Sequence, residues 1–251
     1  AAVPAISPWL LRWFLAYIRL YLRRHFRSLR LAQGGRPAVP DDVPLIIFLN
    51  HPSWWDPLVG LFLAYHLFPT RWTHAPMDLQ SLQRYRIFAR LGFFGIQPDS
   101  TRGAREFLRI SQAILRRSDR ALWITPQGAF CDPRRRPPGF QPGLAFLAAH
   151  LRNCVFLPLA LEYAFWEERF AEILVRFGEP IYATDELGRD VSAWNDRLES
   201  AMIRTQDALA EQVLRRRPEE FEILLSGRVG IGGLYDLGRR LRAAWRREGF
   251  R

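Results

Sequence analysis

The segment from Leu45 to Asp56 constrains this chain more than any other. Leu45-Ile46-Ile47-Phe48-Leu49 is a short, unbroken apolar run introduced by Pro44, the pattern of a buried strand. Asn50 and His51 follow directly, so the imidazole is predicted just past the strand's carboxyl end, where open α/β sheets place their chemistry. Asp56-Pro57 reads as the next helix start, with Asp as N-cap and Pro at the first helical position. A turn between the two elements would bring the carboxylate back to the imidazole. A carboxylate on one ring nitrogen leaves the other to take a proton from a substrate hydroxyl. Taken alone, a His and an Asp at this spacing carry little weight, and the rest of the chain decides how much they mean.

Strand and helix patterns alternate beyond this point. Helices are predicted over 57–67, around 81–91, and over 101–117, 144–151 and 191–215; strands over 121–125, 155–161 and 173–177. The alternation predicts an α/β fold, with a mixed, mostly parallel central sheet flanked by helices. In such a sheet the turn Pro126-Gln127-Gly128 lies at the same edge as His51.

The chain's ends read differently. Pro8 to Leu31 is helical and rich in Trp, Phe, Tyr and Leu; at 100° per residue Arg12, Arg19, Arg23 and Arg30 fall within about 20° of one line. Arg12 and Arg19 interrupt any spanning segment, whereas an Arg face opposite an aromatic face suits a helix lying in a membrane interface. Packing on the protein's own body is the other reading. Gln33 to Val43 is a Gly/Pro linker. Leu234, Leu237, Leu241 and Trp245 share a face near the C-terminus, beside Arg239, Arg240, Arg242, Arg246 and Arg247. The organisation expected is a membrane-anchoring helix over 1–33, a catalytic body over 34–225 and a basic amphipathic helix over 226–251. Removing 1–33 is expected to leave the body folded.

A formal charge of +11 calls for an anionic partner, nucleic acid or a membrane surface. The two terminal stretches account for it better than nucleic acid does, and no nucleic-acid motif appears. All 36 basic residues are arginine, which a GC-rich genome explains, although arginine also suits bidentate binding of phosphate. Cys131 and Cys154 have neither metal nor redox spacing, so a reducing compartment is expected and no metal. Gly230-Ile231-Gly232-Gly233 is not a dinucleotide fingerprint, and no P-loop, nucleophile elbow or cleavable signal is read.

Asn50-His51-x-Ser53-x-x-Asp56-Pro57 resembles the first motif, His-x4-Asp, of the glycerolipid (lysophosphatidate-type) acyltransferase family. Leu91-Gly92-Phe93-Phe94-Gly95-Ile96 resembles that family's second block, Ile124-Thr125-Pro126-Gln127-Gly128 its third, and Val155-Phe156-Leu157-Pro158-Leu159-Ala160 its fourth. Val175 to Ile181 is similar to the segment beyond. The blocks occur in order and cover Leu45 to Ile181.

The resemblance implies O-acyl transfer from an acyl-CoA or acyl-carrier-protein thioester to a lipid hydroxyl, with no other cofactor. His51 would be the general base and Asp56 its orienting carboxylate. Asn50, Ser53, Arg102, Arg105, Gln127 and Gly128 would contact substrate, and backbone N–H groups near Gly128, or those of another turn, would meet an oxyanion. Two departures bear on the acceptor. Gln97-Pro98 stands where the family carries an arginine for the acceptor's phosphate, and Gln127 where it carries a glutamate. Either Arg102 or Arg105, on a helix that Asp99 or Ser100 could cap, restores a phosphate site, or the acceptor is unusual, such as a glycosylated lipid. The basic loop Arg134-Arg135-Arg136 is read either as solvated or as touching phosphate. A catalytically silent, membrane-binding relative is the alternative function. Attachment is expected to be monotopic, on the cytoplasmic face of a bacterial inner membrane.

Overall fold

The computed structural model describes residues 3–34, 39–98, 100–183 and 188–229. Asp99 and the basic C-terminal stretch 234–250 lie outside the described residues. Strand β2 (Leu45–Leu49) is buried at every position because it runs between two parallel neighbours, β5 (Arg120–Ile124) and β6 (Val155–Ala164). Leu45, Ile47 and Leu49 pack with Ile18 and Leu22 of helix α1 (Pro8–His25) and with Val59 and Leu63 of α2 (Asp56–Leu67). Ile46 and Phe48 point the other way. They meet Phe107 of α4 (Thr101–Ile114), Leu147 of α5 (Gly143–His150) and Trp194 of α6 (Val191–Arg215). One apolar run therefore feeds two cores by simple alternation, which is why it carries no polar face.

The sheet among the described residues is nine-stranded. Its order is β4 (Phe93–Ile96), β3 (Trp72–Asp78), β5, β2, β6, β7 (Glu172–Phe177), β1 (Ser28–Ala32) and β9 (Phe221–Ser226), with β8 (Ile181–Tyr182) paired to β6. The pairings from β4 through β6 are all parallel, as is β1 with β7; β6–β7, β6–β8 and β1–β9 are antiparallel. The mixed, mostly parallel sheet expected from the sequence is thus present. It aligns the carboxyl ends of β2 and β5 on one edge.

Several elements differ from the sequence reading. The N-terminal helix ends at His25, not Leu31, because Phe26 turns extended (φ −122, ψ 158) and Ser28 to Ala32 enters the sheet. Arg30 leaves the arginine stripe and forms a buried ion pair with Glu172 at 3.2 Å, while Ser28 donates to the same carboxylate. The expected helix around 81–91 is a short helix α3 (Leu79–Arg84) followed by a 3-10 turn, Arg86–Arg90. Strands β1, β3, β4, β8 and β9 are additional, and β6 continues three residues past Leu161. That continuation reaches the site described next.

Helix α1 carries three stripes. Leu11, Ile18 and Leu22 are buried on the body. Trp9 (63% exposed), Trp13 (64%), Tyr17 and Leu20 face outward. Arg12, Arg19 and Arg23 lie exposed along the outer stripe's edge. Among the described residues, no helix is long and apolar enough to cross a membrane.

Candidate active site

The loop between β2 and α2 is held from both ends. Asn50 is buried, and its side chain completes the sheet: Oδ1 accepts from the Leu161 N–H at 2.8 Å and Nδ2 donates to the Leu161 carbonyl at 2.9 Å. His51 is pinned through its backbone. Its N–H donates to Gln127 Oε1 at 2.9 Å, and its carbonyl accepts from the Cys131 N–H at 2.9 Å. The imidazole position is thus fixed by β2 on one side and by the turn after β5 on the other.

Asp56 is the first residue of α2, with Trp55 at the N-cap position. Its carboxylate makes no cap bond to its own helix but turns back on the loop, which corrects the N-cap expectation. Oδ2 accepts from His51 Nδ1 at 2.7 Å and from the Ser53 N–H at 2.9 Å. The Asp56 side chain is 0% exposed and that of His51 17% exposed, so the carboxylate is sealed while the ring still meets solvent. With Nδ1 bonded to the carboxylate, Nε2 is the nitrogen left for chemistry. The Phe130 ring lies over the imidazole with centroids 4.5 Å apart.

The sequence reading missed Tyr163. Its hydroxyl donates to Asp56 Oδ1 at 2.7 Å from the extension of β6. Burial, and next the charge of Asp56, push the phenol's pKa well above its usual value, so it remains a donor. The signal for it was strict alternation: Leu157, Leu159 and Leu161 face α1 and α2, and Tyr163 continues that face.

The other predicted contacts separate into two groups. Ser53 belongs to the site, through its N–H to Asp56 and its Oγ, which accepts from the Trp55 N–H at 3.3 Å. Gln127 also belongs, but as a brace: buried, it accepts from His51 and donates through Nε2 to the Pro138 carbonyl at 3.2 Å. The Gly128 N–H closes its own turn on the Thr125 carbonyl at 3.1 Å, with φ +70. Arg102 and Arg105 are exposed in the first turns of α4, the helix that follows β4. Ser100 is the cap of α4, accepting from the Gly103 N–H at 2.9 Å.

The basic loop is partly committed within the protein. Arg134 pairs with Asp132 at 2.7 Å and holds that carboxyl well below the usual range, and Arg136 pairs with Asp207 of α6. Beside the dyad a cleft of ≈ 580 Å³ opens between the end of α1, the loop and the β6–β7 connection, lined by His25, Phe26, Ser53, Trp55, Tyr163 and Phe170 among others. No cluster of His, Cys, Asp and Glu able to hold a metal occurs among the described residues.

No curated protein matches this chain. A family model described as Acyltransferase matches residues 30–162, more than half of the chain. The matched segment starts in β1, holds both His51 and Asp56, and ends in β6. This chain belongs to the acyltransferase family.

Proposed function

We propose that this acyltransferase moves an acyl chain from a thioester, acyl-CoA or acyl-carrier protein, to a hydroxyl of a lipid acceptor. The observation that carries this reading is the 2.7 Å contact of His51 Nδ1 with a fully buried Asp56. His51 Nε2 takes the acceptor's hydroxyl proton as the oxygen attacks the thioester carbonyl. Asp56 holds the ring and stabilises the imidazolium that forms. The new C–O bond replaces C–S, and the imidazolium returns its proton to the departing thiolate. No covalent acyl-enzyme is needed, because a thiolate leaves readily. A silent relative would have little reason to seal a carboxylate behind a half-open imidazole.

The outer face of α1 supports a further part of the reading, monotopic attachment to an anionic membrane on the cytoplasmic side. Trp9, Trp13, Tyr17 and Leu20 are outward-facing apolar groups, and Arg12, Arg19 and Arg23 border them. Such a helix would bring the dyad to acceptors that reside in a bilayer. Purified protein with palmitoyl-CoA and either lysophosphatidate or a neutral monoacyl glycolipid, in detergent, tests the chemistry by thiol release and product mass. Release that needs an acceptor and vanishes in His51→Ala is expected. Equal release in that variant would reject the mechanism.

A further inference from the structure

Asp56 is satisfied by three donors, two from the loop before it and one from β6. Oδ2 takes the His51 ring and the Ser53 N–H; Oδ1 takes the Tyr163 hydroxyl at 2.7 Å. The carboxylate is 0% exposed, so water does not serve Oδ1 in place of the phenol. Tyr163 is itself fixed, its ring 5.7 Å from that of Phe26 at the end of α1. It also lies beyond the part of β6 that pairs with β2, so sheet pairing to β2 alone does not account for it.

We propose that Tyr163 is a positioning residue of the dyad, its hydroxyl setting the rotation of the Asp56 carboxylate and sharing its charge. This rests on the general-base reading of His51. The consequence is chemical as well as geometric. A carboxylate that shares its charge with a phenol O–H pulls less on the Nδ1 proton, so the ring keeps that proton and Nε2 stays the free nitrogen. Without the hydroxyl, Oδ1 is a buried anionic oxygen lacking its partner. The whole charge then bears on the imidazole and favours the imidazolium before substrate arrives.

Other charged groups around the cleft are His25 on α1 and Arg169 in the β6–β7 connection; Glu162, next to Tyr163 on β6, feels Arg134 of the basic loop. None of them is altered by the test. The experiment measures kcat and kcat/KM against pH for wild type, Tyr163→Phe and a 2,3-difluorotyrosine at 163, with palmitoyl-CoA and whichever of the two acceptors above is used. Circular dichroism confirms folding.

Tyr163→Phe is expected to lower kcat roughly tenfold and to move the acid limb of kcat/KM toward higher pH by about half a unit or more. Difluorotyrosine, a stronger donor, is expected to move the limb the opposite way. Unchanged kcat and limb in Tyr163→Phe would overturn the proposal, as would an equal loss at every pH with the limb in place. His51→Ala separates the two readings. If that variant is inactive and Tyr163→Phe is silent, only the role of Tyr163 falls; if it turns over, the general-base reading falls too.

Discussion

The Gln127 side chain receives the His51 N–H at 2.9 Å, so the turn after β5 holds the backbone of the candidate base after β2. Its other end donates to the Pro138 carbonyl, a bond a glutamate cannot make. Gln127→Glu is therefore expected to set a buried carboxylate against a carbonyl. The cost is about 1–3 kcal/mol, read as a fall in Tm of roughly 2–10 °C, with turnover also reduced. A variant as stable as the parent would show that Gln127 does not bridge the two loops.

His51→Ala is expected to reduce turnover by about 10²–10⁴-fold while leaving Tm within a few degrees, because the ring is partly exposed and its backbone partners remain. Asp56→Asn is expected to lose a comparable factor by presenting the imidazole in the wrong tautomer. Near-normal rates in both variants would remove the dyad from the chemistry.

The N-terminal helix yields a sharper test than truncation. Deleting 1–33 removes β1, which pairs with both β7 and β9, so the truncated chain is expected to be insoluble or unfolded. Trp9→Ser with Trp13→Ser alters only the outer face and should leave Tm unchanged while lowering flotation with all vesicles. Arg12, Arg19 and Arg23 changed to Gln should lower binding to phosphatidylglycerol vesicles by roughly fivefold per charge, and hardly affect neutral ones. Full flotation in both sets would show that α1 does not face the bilayer.

Arg102→Ala is expected to change the rate with lysophosphatidate by less than about twofold, since this arginine is exposed on α4. A neutral glycolipid should serve at least as well as lysophosphatidate. A large loss confined to the phosphate-bearing acceptor would place a phosphate site at the start of α4.

His74 on β3 is buried, and burial lowers its pKa to about 4, with its Nδ1 at 3.3 Å from the Gly92 carbonyl. The unfolded chain binds this proton near pH 6.5 and the folded protein only near 4, so protonation favours unfolding between those values. Stability is held above pH 6.5, falls as pH drops toward 4 by up to about 3 kcal/mol from this group, and then loses no more. In His74→Gln the drop in Tm between pH 7 and 4.5 should be clearly smaller. An identical drop would assign acid sensitivity elsewhere.

The parts of the fold legible in the sequence were those with one dominant pattern. The run 45–49 is uniformly apolar and the helix 191–215 strongly periodic, and both hold their predicted limits. Strand β1 was hidden because Arg30 extends an arginine line of helical period, and only the distant Glu172 makes its burial possible. Strand β3 contains Pro76, His74 and Asp78, and its place near the sheet's edge tolerates them. At the site, the His51–Asp56 relation is local in sequence and was readable. Tyr163 is 107 residues from Asp56, and the braces at Gln127 and Asn50 satisfy backbone groups that no motif displays.

Strand β1 also changes what the N-terminal helix can be. It follows α1 after two residues and locks between β7 and β9, while Tyr21 and His25 of α1 lie against Trp55 with ring centroids 5.3 Å away in each case. Trp55 directly precedes Asp56. The helix is therefore a rigid mount and not a leash: a leash lets the body swing through every height and tilt, whereas a mount allows one. If α1 rests on a bilayer, the depth at which His51 meets an acceptor is set by the protein's own architecture. Selection among hydroxyls then becomes partly a matter of altitude, favouring those carried at one distance from the lipid carbonyls over chemically equal ones held higher or lower.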